Sequence, residues 1–208
     1  MARCRPPSTS SVGLVTTTSA PPAAEDAAHS AARAPLPAVN RLDTGRATRF
    51  LVGAVRIALG VLWIQNVSWK HPPLFGRPTR TDLFQYTDDA VTHPVLAPFA
   101  WLVQHVILPN FVAFGYATLV IEFVLGALLT AGLLTRLVGA VALLQTLAIT
   151  LSALYAPGEW QWSYYLMIAL HLVVVGLAAG RVAGADGLLR PRWAARPTRL
   201  HRILLVLS

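Results

Sequence analysis

The sequence predicts an all-α integral membrane protein, a four-helix bundle with an interfacial helix in its first outer connection, and three observations predict it. The 208 residues are 55% hydrophobic and 12% charged, with a mean hydropathy of +0.55, more apolar than an ordinary water-soluble domain. Four apolar runs approach or reach the length of a bilayer-spanning helix. Basic residues gather just outside those runs, where membrane orientation places them. The same clustering accounts for the net charge of +8 without a nucleic-acid partner. An RNA or DNA binder would need a basic stripe and stacking aromatics on a soluble domain, and the apolar runs leave no room for one.

Taken in order, residues 1–40 are rich in Ala, Pro, Ser and Thr and read as a disordered cytoplasmic tail. The apolar stretch at 12–15 is too short for a signal-peptide core. The transmembrane domain covers 41–190. Arg41, Arg46 and Arg49 lead into the first span, 50–67, whose only ionisable residue is Arg56. Residues 68–110 hold Pro72, Pro73, Pro78, Pro94, Pro98 and Pro109 with Asp82, Asp88 and Asp89, so no single span fits there. Within this outer connection, 97–108 is too short to cross and suits a helix in the interface plane, with Trp101 at headgroup depth.

The second span runs over 111–134 around Glu122, the third over 137–156 without charge, and the fourth over 163–179 around His171. Thr135 and Arg136 form a tight turn, and Pro157, Gly158 and Glu159 break the chain again, so these neighbours run antiparallel. Residues 191–208 form a basic tail ending in an apolar stretch that suits an inner-leaflet anchor or a frayed end.

Charge sets the orientation. Six Lys or Arg precede the first span, Arg136 lies between spans two and three, and six Arg follow span four, against Lys70, Arg77 and Arg80 on the opposite side. Both termini are therefore expected in the cytoplasm, with the chain multi-pass in the cell membrane. Trp69, Tyr155, Trp160, Trp162, Tyr164 and Tyr165 fall at the outer boundary as an aromatic belt.

A charged group in the bilayer core costs about 2.5–3.5 kcal/mol even on the gentlest scale, so each one needs a partner or a use. Arg56, Glu122, Gln145 and His171 qualify, one from each span. A rise of about 1.5 Å per residue puts His171 about 12 Å, Glu122 about 16 Å, Gln145 about 18 Å and Arg56 about 21 Å below the outer edge. If all face inward they form one polar layer. Read functionally, Glu122 and His171 pass protons or hydrogen-bond a quinone carbonyl while Arg56 and Gln145 position them. Read structurally, Arg56 and Glu122 neutralise each other and Gln145 and His171 satisfy leftover groups.

Other chemistries fit less well. Haem needs two facing axial ligands, and one His lies within a span. Cys4 is the only cysteine, which leaves no iron–sulfur cluster or internal disulfide to build. His71, His93 and His105 with Asp82, Asp88 and Asp89 match no compact metal site and read as solvated loop residues. Gly126, Gly132, Gly139, Gly176 and Gly180 would let helices approach closely.

These residues resemble the DoxX/DoxD-like family, which includes the small membrane subunit of thiosulfate:quinone oxidoreductase. Arg56 is followed by Gly60 and by Lys70 fourteen residues on; Glu122 is followed by Gly126, Gly132 and by Arg136, again fourteen residues on. The exit of the fourth span, Gly180-Arg181 and then Asp186 to Arg190, is similar to the family's closing signature. The long connection with Trp69-Lys70 and the Trp101 segment looks like the DoxD branch. The resemblance spans about residues 48–190. It implies a bundle in a redox complex, with quinone as the substrate it meets and a partner subunit supplying sulfur chemistry. Two other functions are compatible with the residues: a non-catalytic scaffold for a membrane oxidoreductase, and, with neither an internal repeat nor paired broken helices, a small-molecule carrier as the weaker choice.

Overall fold

The computed structural model describes residues 45–195 and 198–208, and among them every regular element is helical. The tail over 1–40, with Cys4, lies outside the described residues. In order come α1 (Arg46–Val67), α2 (Asp82–Thr92) and α3 (Ala97–Leu102), which runs on into a π-helical turn (Val103–Ile107). Then follow α4 (Phe111–Ala131), α5 (Thr135–Ala153), α6 (Gln161–Leu177), α7 (Gly180–Ala183), α8 (Ala185–Ala194) and α9 (Arg199–Leu207). Helices α1, α4 and α5 are long and apolar enough to cross a membrane, while the 97–107 segment and the 17-residue α6 are shorter and apolar. The apolar windows of the three long helices are only 28–33% buried within the molecule. Surfaces so apolar and so exposed need a lipid environment, and the protein is a membrane protein.

The ends of the helices differ from expectation for identifiable reasons. The second span stops at Ala131 because Gly132 turns left-handed at φ 69°, its N–H bonding Leu129 O and that of Leu133 bonding Leu128 O, both at 3.1 Å. Thr135 and Arg136, expected as a turn, form the first turn of α5 because a carboxylate distant in sequence caps it: Asp186 accepts from the backbone N–H of Leu134 (2.7 Å) and Thr135 (2.9 Å). The last long helix lies two residues earlier than predicted and closes on Ala178, left-handed at φ 46°.

Helix α1 lies along α4 and also touches α6; α5 lies against both α4 and α6. Their shared core comprises Leu59 and Trp63 of α1, Leu125 and Leu129 of α4, Val138 and Ala142 of α5, and Val174 of α6. Lipid tails are as apolar as these side chains, so close packing must hold the helices together. Gly60 and Gly126 provide it where α1 crosses α4. A Cβ on Gly60 would lie 2.7 Å from the Thr130 backbone nitrogen and 2.8 Å from Gly126 O; one on Gly126 would lie 2.7 Å from Gly60 O. These are backbone atoms, which cannot swing aside. Gly60→Val is expected to destabilise the protein by about 3 kcal/mol in detergent unfolding, and an unchanged midpoint would refute this crossing. Gly139 meets Val175, whereas Gly176 faces open space and brings no helix close.

We call the end holding 68–110 and the 154–160 turn the connection end. Here Phe75, fully buried, lies against Gly115 and edge-on to Phe111, and so seats the connection on α4. Burying such a ring contributes about 1.5–3 kcal/mol. Helix α2 then lies across α5, and a cavity remains beneath it.

Candidate functional site

That cavity, of about 660 Å³, is walled by Trp69 and Lys70 after α1, Tyr86 of α2, Phe114 and Glu122 of α4, Gln145 of α5 and Tyr164 of α6. The chain leaves α1 at Val67 and folds straight back, with Lys70 N–H bonding Val67 O at 3.2 Å. The Lys70 ammonium therefore points inward. It donates to Asn66 O at 2.7 Å and to Glu122 Oε2 at 2.5 Å, and sits 4.2 Å from the centre of a Trp69 ring. Lys70 is 3% exposed and Glu122 1%.

Two opposite charges so far from water hold each other in place, since removing either would strand the other. One acceptor is left over: Glu122 Oε1 has no hydrogen-bond partner, although Gln145 and Asn66 both lie beside the carboxylate. An apolar cavity with a few convergent polar groups and an unsatisfied carboxylate oxygen is suited to a flat molecule carrying polar atoms at its edge.

The structure does not bring the four predicted residues into one layer. Gln145 joins Glu122 at the cavity; Arg56 and His171 do not. The fully buried His171 accepts from Trp63 Nε1 at 2.9 Å through Nε2, and its Nδ1, 2.7 Å from Met167 O, is the protonated nitrogen. Both nitrogens are thus occupied, the arrangement of a satisfied core histidine.

Arg56 is likewise turned away from Glu122. Its guanidinium donates to Leu129 O (2.6 Å) and Thr130 O (3.0 Å) in the last turn of α4 and to Ala183 O (2.6 Å) at the end of α7. The expected neutralisation of Glu122 by Arg56 is replaced by Lys70. A cation at a helix C-terminus is favoured by the helix dipole, and Arg56 reaches that end first.

The remaining motif residues gather round Arg56 at the end opposite the connection. Gly132, Gly180 and Gly184 approach so closely that a Cβ on Gly184 would lie 2.9 Å from Gly132 Cα. Asp186, fully buried, caps α5 from there. Arg181 donates to Ser208 O at 2.7 Å, and Arg136 lies near it, half-buried, on the first turn of α5. These residues join α1, α4, α5 and α7, whereas Lys70 and Glu122 face the cavity.

The connection is less solvated than its composition suggested. Arg80 pairs with Asp88, and His71 lies 3.1 Å from Asp82. Asp89, however, is buried on the inner face of α2, and burial raises its carboxyl above the usual range, partly offset by His93. Trp101, Trp160 and Trp162 are at least 60% exposed, but Tyr164 of the expected belt is buried against the cavity.

Lys70 follows the apolar run and so belongs to the outer connection by sequence; its inward turn is not legible in the run itself. The fourteen-residue interval from Arg56 was the signal that singled it out. No curated protein and no solved structure matches the chain. A family model described as "TQO small subunit DoxD" matches residues 51–206, a stretch that holds both the Arg56–Asp186 end and the Lys70–Glu122 cavity. The chain belongs to the DoxD family of thiosulfate:quinone oxidoreductase small subunits.

Proposed function

We propose that this chain is the membrane subunit of a quinone-reducing redox complex, and that its cavity takes the quinone headgroup. The observation that carries the reading is a buried Lys70–Glu122 pair with one carboxylate oxygen unpartnered at the wall of an apolar cavity. The Lys70 ammonium and the Gln145 amide can donate to a quinone carbonyl, and Glu122 can hold or release a proton beside it. Phe114 and Trp69 offer flat faces for the ring. A partner subunit oxidises a reduced sulfur anion such as thiosulfate and supplies the electrons.

In this reading α6 is a fourth span, completing a four-helix bundle, and α3 with its π-helical turn lies in the interface. The exposed Trp101, Trp160 and Trp162 mark one headgroup layer. The arginines around α8 and α9 support placing both termini in the cytoplasm in this reading, with the chain in the cell membrane and the connection outside. Residues 41–190 form the transmembrane domain, with a tail on either side.

The test is titration of the purified protein in nanodiscs with a short-chain benzoquinone or naphthoquinone, followed by quenching of tryptophan emission. Saturable binding is expected, weakened about tenfold in Gln145→Leu, which corresponds to about 1.4 kcal/mol. Absence of saturable quenching with either quinone would remove the reading.

A scaffold role has its own support: Lys70 and Glu122 satisfy each other without a ligand, and the motif residues around Arg56 serve packing. Under that reading the protein recovers an oxidoreductase subunit from mild-detergent membranes yet binds no quinone.

A further inference from the structure

Quinone binding at Lys70 and Glu122 leaves another set of ionisable groups at the connection end without a use. Tyr86 and Asp89 come from α2, Glu159 from the turn before α6, and Tyr164 from the first turn of α6. Tyr164 donates its hydroxyl to Glu159 Oε2 at 2.6 Å, and Tyr86 faces the same carboxylate. Both tyrosines line the cavity, whereas Glu159 is half-buried at its outer margin. The cluster thus touches the cavity on one side and water on the other.

Asp89 adds an independent observation. It is 9% exposed, its Oδ1 lies 3.6 Å from His93 Nδ1, and its Oδ2 is buried with no partner. Tyr86 and Asp88 share its helix and His93 follows the helix end, Glu159 and Tyr164 are close enough to act on its charge or on that of Tyr86, and α5 has no ionisable residue but Arg136 at its far end. The neighbouring π-helical turn offers only His105, whose Nδ1 is turned to Trp101 O. Among the described residues, His93 is the cation that favours the ionised form of Asp89. Burial therefore shifts this carboxyl toward its neutral form, against the pull of His93.

We propose that Asp89, Glu159, Tyr86 and Tyr164 form a proton-delivery path from the aqueous face at the connection end to the cavity. The inference rests on the quinone reading, because that reaction consumes protons: one quinone, two electrons and two protons give one quinol. The electrons come from the reduced sulfur anion oxidised on the partner subunit. Each proton moves by the same exchange. Glu159 takes up a proton and its bond with Tyr164 reverses, so that the carboxyl O–H donates to the phenolic oxygen while Tyr164 passes its own hydroxyl proton to the quinone oxygen in the cavity; Glu159 is reloaded from water, or from Asp89 through water. Only O–H bonds break and form along the path. The Tyr86 hydroxyl gives Glu159 a second route to the cavity.

A purely anchoring role for the Tyr164–Glu159 bond predicts changes in stability alone. Electrochemically induced infrared difference spectroscopy separates the two, because an electrode replaces the partner and the whole chain is used with a short-chain naphthoquinone bound. On reduction, wild type is expected to show carboxyl bands that change with quinol formation and are lost in D89N and E159Q. E159Q, which lies outside the cavity lining, should slow quinol formation at least tenfold with unchanged quinone affinity, E159D should keep most of the wild-type rate, and Y164F should lower the rate by more than its change in quinone affinity. Variants that bind quinone normally and give wild-type spectra and rates would overturn the path while leaving the quinone site intact. A wild-type chain that binds no quinone would overturn the site itself, and the path with it.

Discussion

Glu122→Gln, made alone, is expected to lower the free energy of unfolding by about 3–5 kcal/mol, because it leaves the Lys70 ammonium buried with no anion. Lys70→Met should do the same from the other side by stranding the carboxylate. The informative variant is the double one. Lys70→Met with Glu122→Gln removes both charges and keeps similar volume, so most of the lost stability should return. Quinone binding should not return, since the ammonium donor and the ionisable acceptor are both gone. Reversible unfolding in detergent measures the first quantity and tryptophan quenching the second. A double variant that regains stability and still binds quinone as wild type does would reduce the pair to a packing device. If the two single losses instead add in the double variant, the coupling between the two charges is absent.

Arg56→Leu carries the second large effect. Its guanidinium closes Thr130 O and Ala183 O at the ends of α4 and α7 and adds a charged donor to Leu129 O, which also accepts from the Gly132 N–H. Hydrogen bonds to a charged donor contribute about 1.5–3 kcal/mol each and are not additive, so a loss of about 3–5 kcal/mol is expected for the set. Arg56→Lys should recover only part of it. A single ammonium cannot span carbonyls on two separate segments as the planar fork does. Where the variant is stable enough to purify, quinone affinity should be unchanged, because Arg56 does not line the cavity. A loss of affinity at wild-type stability would contradict that placement. The contrast with Glu122 matters for the family: two charged residues from equally apolar helices are given different tasks by what surrounds them.

The apolar runs were enough to place the long helices, since length and hydropathy in lipid leave the backbone no alternative to internal hydrogen bonding. The 50–67 and 111–134 predictions fell on α1 and α4. Their ends were less legible. Gly132 could be read as a stop from its type, but the start of α5 at Thr135 depends on Asp186, some fifty residues later. A cap supplied across such a separation leaves no trace in local sequence. Helix α2 was hidden for a similar reason, because its acidic composition reads as a solvated loop and only packing on α5 buries one face of it.

Which polar residues sit within apolar runs is a property of the sequence, and Arg56, Glu122, Gln145 and His171 were evident from it. Who meets whom was settled in three dimensions. Depth along a helix follows from counting residues, but the direction a side chain faces depends on how helices rotate against each other. That rotation follows here from Gly60 meeting Gly126 and from the contact of Gly132 with Gly184. It turned Arg56 to carbonyls and His171 to Trp63, and left Glu122 facing a cavity. A backward turn after Val67 then carried Lys70, from outside every apolar run, to the Glu122 carboxylate.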